Sequence, residues 1–183
     1  MPEQRGYWRW LGLAGLVIVL DQLSKYAVLA HFTPGESKPI TFFFDLTLAF
    51  NQGAAFSFLH NAGGWQRWLL SALAIGASVW IAWWLRRHGG TKLFRLALAL
   101  IMGGALGNVV DRFTHDGAVV DFLDFHLPRP YELNLLGYHW ALNHFPAFNL
   151  ADSAITCGAA LLLLEALIEH RKTRRARTAS PGA

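Results

Sequence analysis

The sequence predicts a mainly α-helical membrane protein with four transmembrane helices, a small extracytoplasmic β-sheet and a surface flap. Hydrophobic residues make up 54% of the 183 residues and charged residues only 15%, whereas soluble proteins average about 45–50% and 25%. Four long apolar segments divide the chain, and basic residues gather at their ends rather than in a groove with interleaved aromatics. These observations exclude an ordinary soluble domain, and we expect no nucleic-acid partner.

Each apolar segment is long enough to cross a hydrocarbon layer of about 30 Å at about 1.5 Å per residue. The predicted helices cover residues 8–30, 68–85 and 93–110 and a fourth segment that begins near residue 147, with Pro146 in its first turn. The first segment resembles a cleavable signal peptide in position. However, no cleavage motif followed by a soluble domain comes after it, so we interpret it as a membrane helix.

The distribution of positive charge predicts the orientation of the helices. Eleven of the 16 lysines and arginines precede the first segment, surround the link between the second and third, or follow the fourth. The positive-inside rule places these regions, and therefore both termini, in the cytoplasm. We expect residues 1–170 to form a single integral-membrane domain and residues 171–183 to be a basic, disordered cytoplasmic tail.

The loops 30–64 and 111–145 would then lie outside the cytoplasm. The stretch "FDLTLAFN" at residues 44–51 alternates apolar and more polar side chains with a period of two, which is typical of a strand. The following "NQG" is a turn signal, and an aromatic-rich run resumes at residues 55–59. We expect a small sheet that rests on the outer leaflet.

Three of the four segments carry polar residues at i, i+3 and i+4, near the predicted outer end of each helix. Burying such groups costs several kcal/mol unless they pair or face water, so they are expected to turn toward each other. A purely structural network is the competing interpretation for Lys25 with Asp21 and for Arg112 with Asp111. Gly103 and Gly107 are expected to let helices approach closely. The three polar triplets are Asp21, Ser24 and Lys25; Asn108, Asp111 and Arg112; and Asn149, Asp152 and Ser153.

Asp152 differs from the other acids because it has no neighbouring cation in the sequence. The nearest suitable partners are Asp121 and Asp124 in "AVVDFLDFH". Two carboxylates held a few ångströms apart share one proton. One can then take a proton from an attacking water while the other donates a hydrogen bond to the carbonyl oxygen, which is aspartic-peptidase chemistry. Spacing alone does not choose between Asp121 and Asp124.

Other site chemistries are less well supported by the residues. Ser24 and Lys25 could suggest a serine/lysine dyad, but adjacent helix residues point in different directions. A carrier that uses Asp21, Asp111 and Asp152 would need polar groups throughout the membrane, and these acids crowd toward one side. Cys157, the single cysteine, is expected to be a packing residue. A metal cluster lacks the two-histidine spacing of "HExxH"; its members would be His115, Asp116, Asp121, Asp124 and His126.

Five sequence blocks carry a resemblance to a known family. "DQLSK", "FNQGAAFSFL", "GGALGNVVDR", "VVDFLDF" and "FPAFNLADSAI", in this order from residue 21 to 155, resemble the blocks of the bacterial lipoprotein signal peptidases, signal peptidase II. The resemblance implies an aspartyl peptidase of the inner membrane whose active site lies near the outer leaflet. It also implies that Asp121 and Asp152 are the catalytic pair, with neither metal nor other cofactor.

The resemblance further implies the substrate and the supporting residues. Members of the family remove signal peptides from prolipoproteins on the amino side of a diacylglyceryl-modified cysteine, and globomycin-type cyclic peptides inhibit them. We expect a monomer surrounded by membrane phospholipids, and the stretch 126–144 is longer than usual for the outer flap. The aligned substrate-binding or supporting residues are Asp21, Lys25, Asn51, Gly53, Asn108, Asp111, Arg112, Asn149 and Ala151.

Overall fold

The computed structural model describes residues 2–53, 64–88, 90–135 and 138–179. Within these ranges it contains four long helices: α1 (Pro2–His31), α2 (Gln66–Arg87), α3 (Lys92–Thr114) and α4 (Leu150–Ala179). Each includes a stretch that is long and apolar enough to cross a membrane. The predicted class, a membrane protein with four transmembrane helices, is confirmed.

Both ends of α4 differ from the prediction. The helix begins at Leu150, so Pro146 precedes it instead of occupying its first turn. It also continues to Ala179, whereas a disordered tail was expected from residue 171. Extending an existing helix requires no new nucleation, and the i,i+3 contact of Lys172 Nζ with Glu169 Oε1 at 2.7 Å supports this extension. Residues 180–183 lie outside the described ranges.

Among the described residues, four antiparallel strands form a sheet in the order β1 (Ser37–Thr41), β2 (Phe44–Asn51), β3 (Val119–Leu135) and β4 (Tyr138–His144). The strand predicted for residues 44–51 is confirmed as β2. The long β3 was not predicted: its first half pairs with β2, and its second half pairs with β4. The stretch 126–144, expected to be a surface flap, therefore belongs largely to these two strands. The run predicted at residues 55–59 lies outside the described residues.

A small apolar cluster joins the sheet to the end of α1. Val28 of α1 packs with Leu48 of β2 and with Val120 and Phe122 of β3, and all four side chains are buried. Burial of this apolar surface holds β2 and β3 against the end of the helix bundle where α1 ends and α4 begins. The polar side chains of the candidate site described below lie beside this cluster.

Helix α3 packs against the other three helices and is the most deeply buried of the four. A Cβ atom added at Gly103 would lie 2.8 Å from the backbone oxygen of Ala14 in α1, and one at Gly107 would lie 2.7 Å from Asp21 Oδ2. Real Cβ atoms do not make such short contacts, so both glycines permit the close approach of α1 and α3. This confirms the role predicted for Gly103 and Gly107.

Candidate active site

The polar residues predicted from three separate helices come together at the sheet end of the bundle. Five of the seven triplet side chains that carry an amide or a charge are buried, and so is Asp121 of β3. The expectation that these groups turn inward is therefore confirmed. The buried residues are Asp21, Lys25, Asn108, Asp111, Asp121 and Asn149.

Asp21, Lys25 and Asp111, here called the ion triad, form a buried cluster between α1 and α3. Lys25 Nζ lies 2.7 Å from Asp21 Oδ2 and 2.8 Å from Asp111 Oδ2. The backbone N–H of Ala151 donates to Asp21 Oδ1 at 2.9 Å, and that of Val120 donates to Asp111 Oδ2 at 2.9 Å. The ion triad thus attaches the start of α4 and strand β3 to α1 and α3.

Gln22 is a member of this network that the sequence reasoning missed. Its Nε2 donates to Asp111 Oδ1 at 2.8 Å and to the carbonyl oxygen of Gly107 at 3.2 Å. The signal was present in "DQLSK", because Gln22 and Lys25 lie at i and i+3 on one helix face. Ser24, in contrast, donates to the carbonyl oxygen of Asp21 in its own helix at 2.7 Å, and it forms no dyad with Lys25.

Asp121 and Asp152, here called the acid pair, are connected through one residue. Asn149 donates from its side-chain Nδ2 to Asp121 Oδ1 at 2.8 Å and from its backbone N–H to Asp152 Oδ2 at 3.2 Å. A single asparagine therefore contacts both carboxylates and positions them on either side of itself.

The same asparagine begins helix α4. Asn149 Oδ1 accepts from the backbone N–H of Asp152 at 2.9 Å, which together with the reverse contact forms a reciprocal capping box. Asp152 is consequently the third residue of the helix, about 3 Å from its start. The sequence prediction placed it deeper, because that prediction began the helix near residue 147.

Asn108 links the ion triad to the acid pair. Its Nδ2 donates to Asp152 Oδ1 at 2.8 Å, while its Oδ1 accepts from Lys25 Nζ at 3.1 Å and from Asn149 Nδ2 at 3.1 Å. Because Lys25 can only donate, it fixes the orientation of the Asn108 amide and directs the amide's NH₂ group at Asp152.

The end of β2 supplies a further donor to the acid pair. Asn51 Nδ2 donates to Asp121 Oδ2 at 3.1 Å, and the backbone N–H of the buried Gly53 donates to Asn51 Oδ1 at 3.0 Å. Pairing of β2 with β3 sets this contact, because Ala49 lies opposite Asp121. Both oxygens of Asp121 are thereby held by side-chain amides.

The acid pair is not neutralised by a contacting cation. Among the described residues, no lysine or arginine nitrogen lies within 4 Å of the carboxylate oxygens of Asp121 or Asp152. Burial of Asp121, which is 2% exposed, and the nearby charge of Asp152 together raise its pKa to about 7. Hydrogen bonds from Asn51 and Asn149 act in the opposite direction on this pKa. Asp121 is therefore partly protonated near neutral pH.

Arg112 does not form the ion pair with Asp111 that was considered from the sequence. Among the residues that the structure describes, the cation that pairs with Asp111 is Lys25. Arg112 instead donates from Nη1 to the carbonyl oxygen of Asn108 at 3.2 Å. The Arg112–Asp111 ion pair does not form because Lys25, from another helix, contacts the Asp111 carboxylate.

The remaining candidates fall outside the acid pair. Asp124 lies three residues beyond Asp121 on β3, hence on the opposite face of the strand, and it pairs with Asp45 of β2. His126 Nε2 contacts Asp45 Oδ1 at 3.2 Å, and His115 lies against the ring of Phe50. Within the described ranges, no three His, Cys, Asp or Glu side chains are grouped as a metal site would require.

This chain is similar to one protein family, to curated relatives and to solved membrane-enzyme structures. Residues 13–168 match the family model described as signal peptidase (SPase) II. The lipoprotein signal peptidase of Ralstonia nicotianae is 56% identical over 91% of this chain and 86% of its own, and that of Burkholderia vietnamiensis is 54% identical over 90% and 91%. A solved bacterial membrane enzyme superposes with a TM-score of 0.70 at 29% identity, covering 90% of both chains. A second solved structure, likewise described as a bacterial membrane enzyme, has a TM-score of 0.64 at 30% identity, covering 85% of this chain and 90% of its own.

Proposed function

This chain belongs to the signal peptidase II family, and on that premise we propose that it removes signal peptides from membrane lipoprotein precursors by an aspartic mechanism. Asp121 and Asp152 are the catalytic residues of this proposal. The observation that carries it is the acid pair itself: two carboxylates contacted by the same asparagine, with no lysine or arginine nitrogen within 4 Å of either among the described residues.

The two acids take different roles. Asp121, whose pKa is raised to about 7, holds the shared proton. Asp152 receives hydrogen bonds from Asn108 and from the backbone of Asn149, and in its ionised form it accepts a proton from water. Two like charges this close do not both ionise readily, so one proton remains on the pair between turnovers.

Hydrolysis then proceeds in two steps. In the first, water attacks the scissile carbonyl carbon, Asp152 takes the water proton, and Asp121 gives its proton to the carbonyl oxygen, producing a gem-diol. In the second, Asp152 gives its proton to the amide nitrogen as the C–N bond breaks, and Asp121 takes a proton from one diol hydroxyl. The products are a carboxylic acid and an amine, and the acid pair returns to its starting protonation state.

The surrounding residues divide into two groups. Asn51, Asn108, Arg112 and Asn149 are proposed to contact the substrate backbone or the acid pair, and Gly53 and Ala151 lie beside them. Asp21, Lys25 and Asp111 hold the elements in place, as their burial and mutual contacts favour. Globomycin-type peptides are expected to bind at the acid pair, because they resemble a peptide substrate that is not cleaved.

The position of Asp152 fits a substrate anchored in the bilayer. The third residue of a membrane helix lies near the headgroup level, where both water and a lipid-attached peptide are within reach. With both termini in the cytoplasm, this end of the bundle faces outward. The proposed cut lies on the amino side of the diacylglyceryl-modified cysteine.

The test is cleavage of a diacylglyceryl-modified prolipoprotein by the purified protein in detergent, with a chelator present throughout. Asp121→Asn and Asp152→Asn should each lower the cleavage rate at least about 1,000-fold, since each removes one member of the proton-transferring pair. Asp124→Asn is the matched control, because Asp124 lies on the same strand with its side chain on the other face.

The control variant should keep near-parental activity. Retention of more than a tenth of the activity by either acid-pair variant would remove that residue from the mechanism, and loss of activity with chelator alone would point to a metal enzyme. Ion flux through reconstituted vesicles, without cleavage, would instead support a carrier.

A further inference from the structure

A second polar site lies at the same end of the bundle, between the start of α2 and the end of α3. It is a cavity of about 100 Å³ and contains neither member of the acid pair. Helix α2 contributes Arg67, Trp68 and Ser71, helix α3 contributes Arg112 and Phe113, and Asp116 follows α3. Nothing in the proposed peptidase reaction requires the α2 side of this cavity.

The cavity brings together charges that are not paired with each other. Among the described residues, Asp116 forms no ion pair within 4 Å with Arg67 or Arg112. The Nε atoms of both arginines are buried and have no hydrogen-bond partner within the part of the chain that the structure describes. A buried guanidinium N–H without a partner is destabilising, so a ligand that accepts these hydrogen bonds would be stabilised here.

The chemistry of the three charged groups defines the ligand. A guanidinium binds phosphate oxygens with two parallel N–H groups, and two arginines together favour one phosphate. The buried hydroxyl of Ser71 can donate a further hydrogen bond to it. Asp116, in contrast, carries a carboxylate, which accepts hydrogen bonds and attracts a cation. The cavity therefore suits a molecule with a phosphate and, a short distance away, an ammonium group.

The walls of the cavity point to a lipid rather than a soluble phosphate ester. The side chains of Trp68 and Phe113 are 56% and 59% exposed and lie edge to face with ring centroids 6.0 Å apart. The guanidinium of Arg67 lies 4.8 Å from the Trp68 ring centroid. In a membrane helix such exposed rings contact acyl chains near the headgroup level.

We propose that this cavity binds the head group of a phospholipid with a primary ammonium, such as phosphatidylethanolamine. Its phosphate contacts Arg67, Arg112 and Ser71, its ammonium contacts Asp116, and its chains lie against Trp68 and Phe113. The site is distinct from the acid pair, but hydrogen bonds connect the two. Arg112 donates to the carbonyl oxygen of Asn108, and the side chain of Asn108 donates to Asp152.

Binding to the purified full-length protein in detergent tests the proposal, without any need for cleavage activity. The probes are short-chain phosphatidylethanolamine, short-chain phosphatidylglycerol, phosphoethanolamine and inorganic phosphate, each titrated by calorimetry. We expect phosphatidylethanolamine to bind at least about tenfold more tightly than the other three, because it alone offers phosphate, ammonium and chains together.

Three variants sharpen the assignment. Arg67→Gln should weaken phosphatidylethanolamine binding about tenfold or more, and Arg67→Lys, which keeps the charge but not the fork of donors, should weaken it less. Asp116→Asn should abolish the preference over phosphatidylglycerol. Arg87→Gln is the control, because Arg87 lies in the last turn of the same helix, away from the cavity, and it should bind like the parent.

The proposal is overturned if both Arg67 variants bind phosphatidylethanolamine like the parent, or if Asp116→Asn keeps the full preference. Equal affinity for inorganic phosphate would show a plain anion site. Equal affinity for phosphoethanolamine would show a site for a soluble phosphate ester, in which the aromatic wall takes no part. A normal melting temperature in each variant confirms that the comparison is made on folded protein.

Discussion

The ion triad and the acid pair each contain two buried or partly buried carboxylates, yet they are organised in opposite ways. In the ion triad, Lys25 lies between Asp21 and Asp111. The other oxygen of Asp21 accepts from a backbone N–H group, and the other oxygen of Asp111 accepts from the side chain of Gln22. In the acid pair, only amides contact the carboxylates among the described residues. One cluster contains a cation that contacts both of its carboxylates, whereas the other has no contacting cation among the described residues.

The difference separates two ways of burying a pair of acids, one with a contacting cation and one without. Removing charges from water is costly, and Lys25 offsets that cost for two acids at once. For Asp121 no contacting cation offsets it, and the result is a pKa raised to about 7. A raised pKa makes a carboxyl group useful as a proton donor near neutral pH. The single residue Asn108 contacts both clusters, so the ion triad helps to orient the acid pair.

Replacing the central cation should have the largest effect on stability. Lys25→Met leaves two buried carboxylates without their partner, and we expect it to lower the free energy of unfolding by about 3–5 kcal/mol. Thermal unfolding in detergent measures this effect. Lys38→Met, which removes an exposed contact with Glu36, is the control and should change stability by less than about 1 kcal/mol. Similar melting temperatures for the two variants would mean that the ion triad is not structural.

Removing a carboxylate of the acid pair should increase stability instead of lowering it, and the size of this gain should depend on pH. Because the folded-state pKa of Asp121, about 7, lies above the ordinary aspartate value of about 3.9, its contribution to stability is complete below about pH 4 and is lost as the pH rises through 7. Asp121→Asn lacks this loss. The variant should therefore gain stability relative to the parent as the pH rises from 4 to 8, by about 1.4 kcal/mol for each unit of the pKa shift.

Melting curves of parent and Asp121→Asn across this pH range make the measurement. Asp152→Asn is an informative companion, because it removes the neighbouring charge that raises the Asp121 pKa. In that variant the decline of stability between pH 4 and 8 should be smaller than in the parent. A constant difference between parent and Asp121→Asn at every pH would contradict the raised pKa.

A smaller effect on stability is expected from adding a methyl group at Gly107, where α3 packs closely against the ion triad. In Gly107→Ala the new methyl group would lie 2.7 Å from Asp21 Oδ2, a carboxylate already held by Lys25 and Ala151. We expect a loss of about 1–3 kcal/mol in the free energy of unfolding. Gly15→Ala in α1 meets no atom within 4 Å and should instead be neutral or stabilising by up to about 1 kcal/mol. The prediction fails if the two substitutions have the same sign.

The helices and their polar faces could be predicted from the sequence because the signals are local. Length and hydropathy identify a membrane span, and i, i+3, i+4 spacing places Asp21 and Lys25 on one face without knowledge of other elements. Alternation likewise identified β2. The strand β3 was missed because it is formed by pairing with β2, which is distant in sequence. The start of α4 at Leu150 was misplaced because the side chain of Asn149 caps the helix there by accepting from the backbone N–H of Asp152.

The sequence by itself thus determined the membrane class, the number of helices and the residue types brought to one level of the bilayer. Only the tertiary structure decided which acid contacts which partner. Asp111 forms its ion pair with Lys25 instead of Arg112, and Asn149 contacts Asp121 rather than Asp124. The physical reason is that hydrophobicity and helical periodicity act between near neighbours along the chain. Hydrogen bonds and ion pairs act over a few ångströms in space, between residues that lie 28 and 86 positions apart.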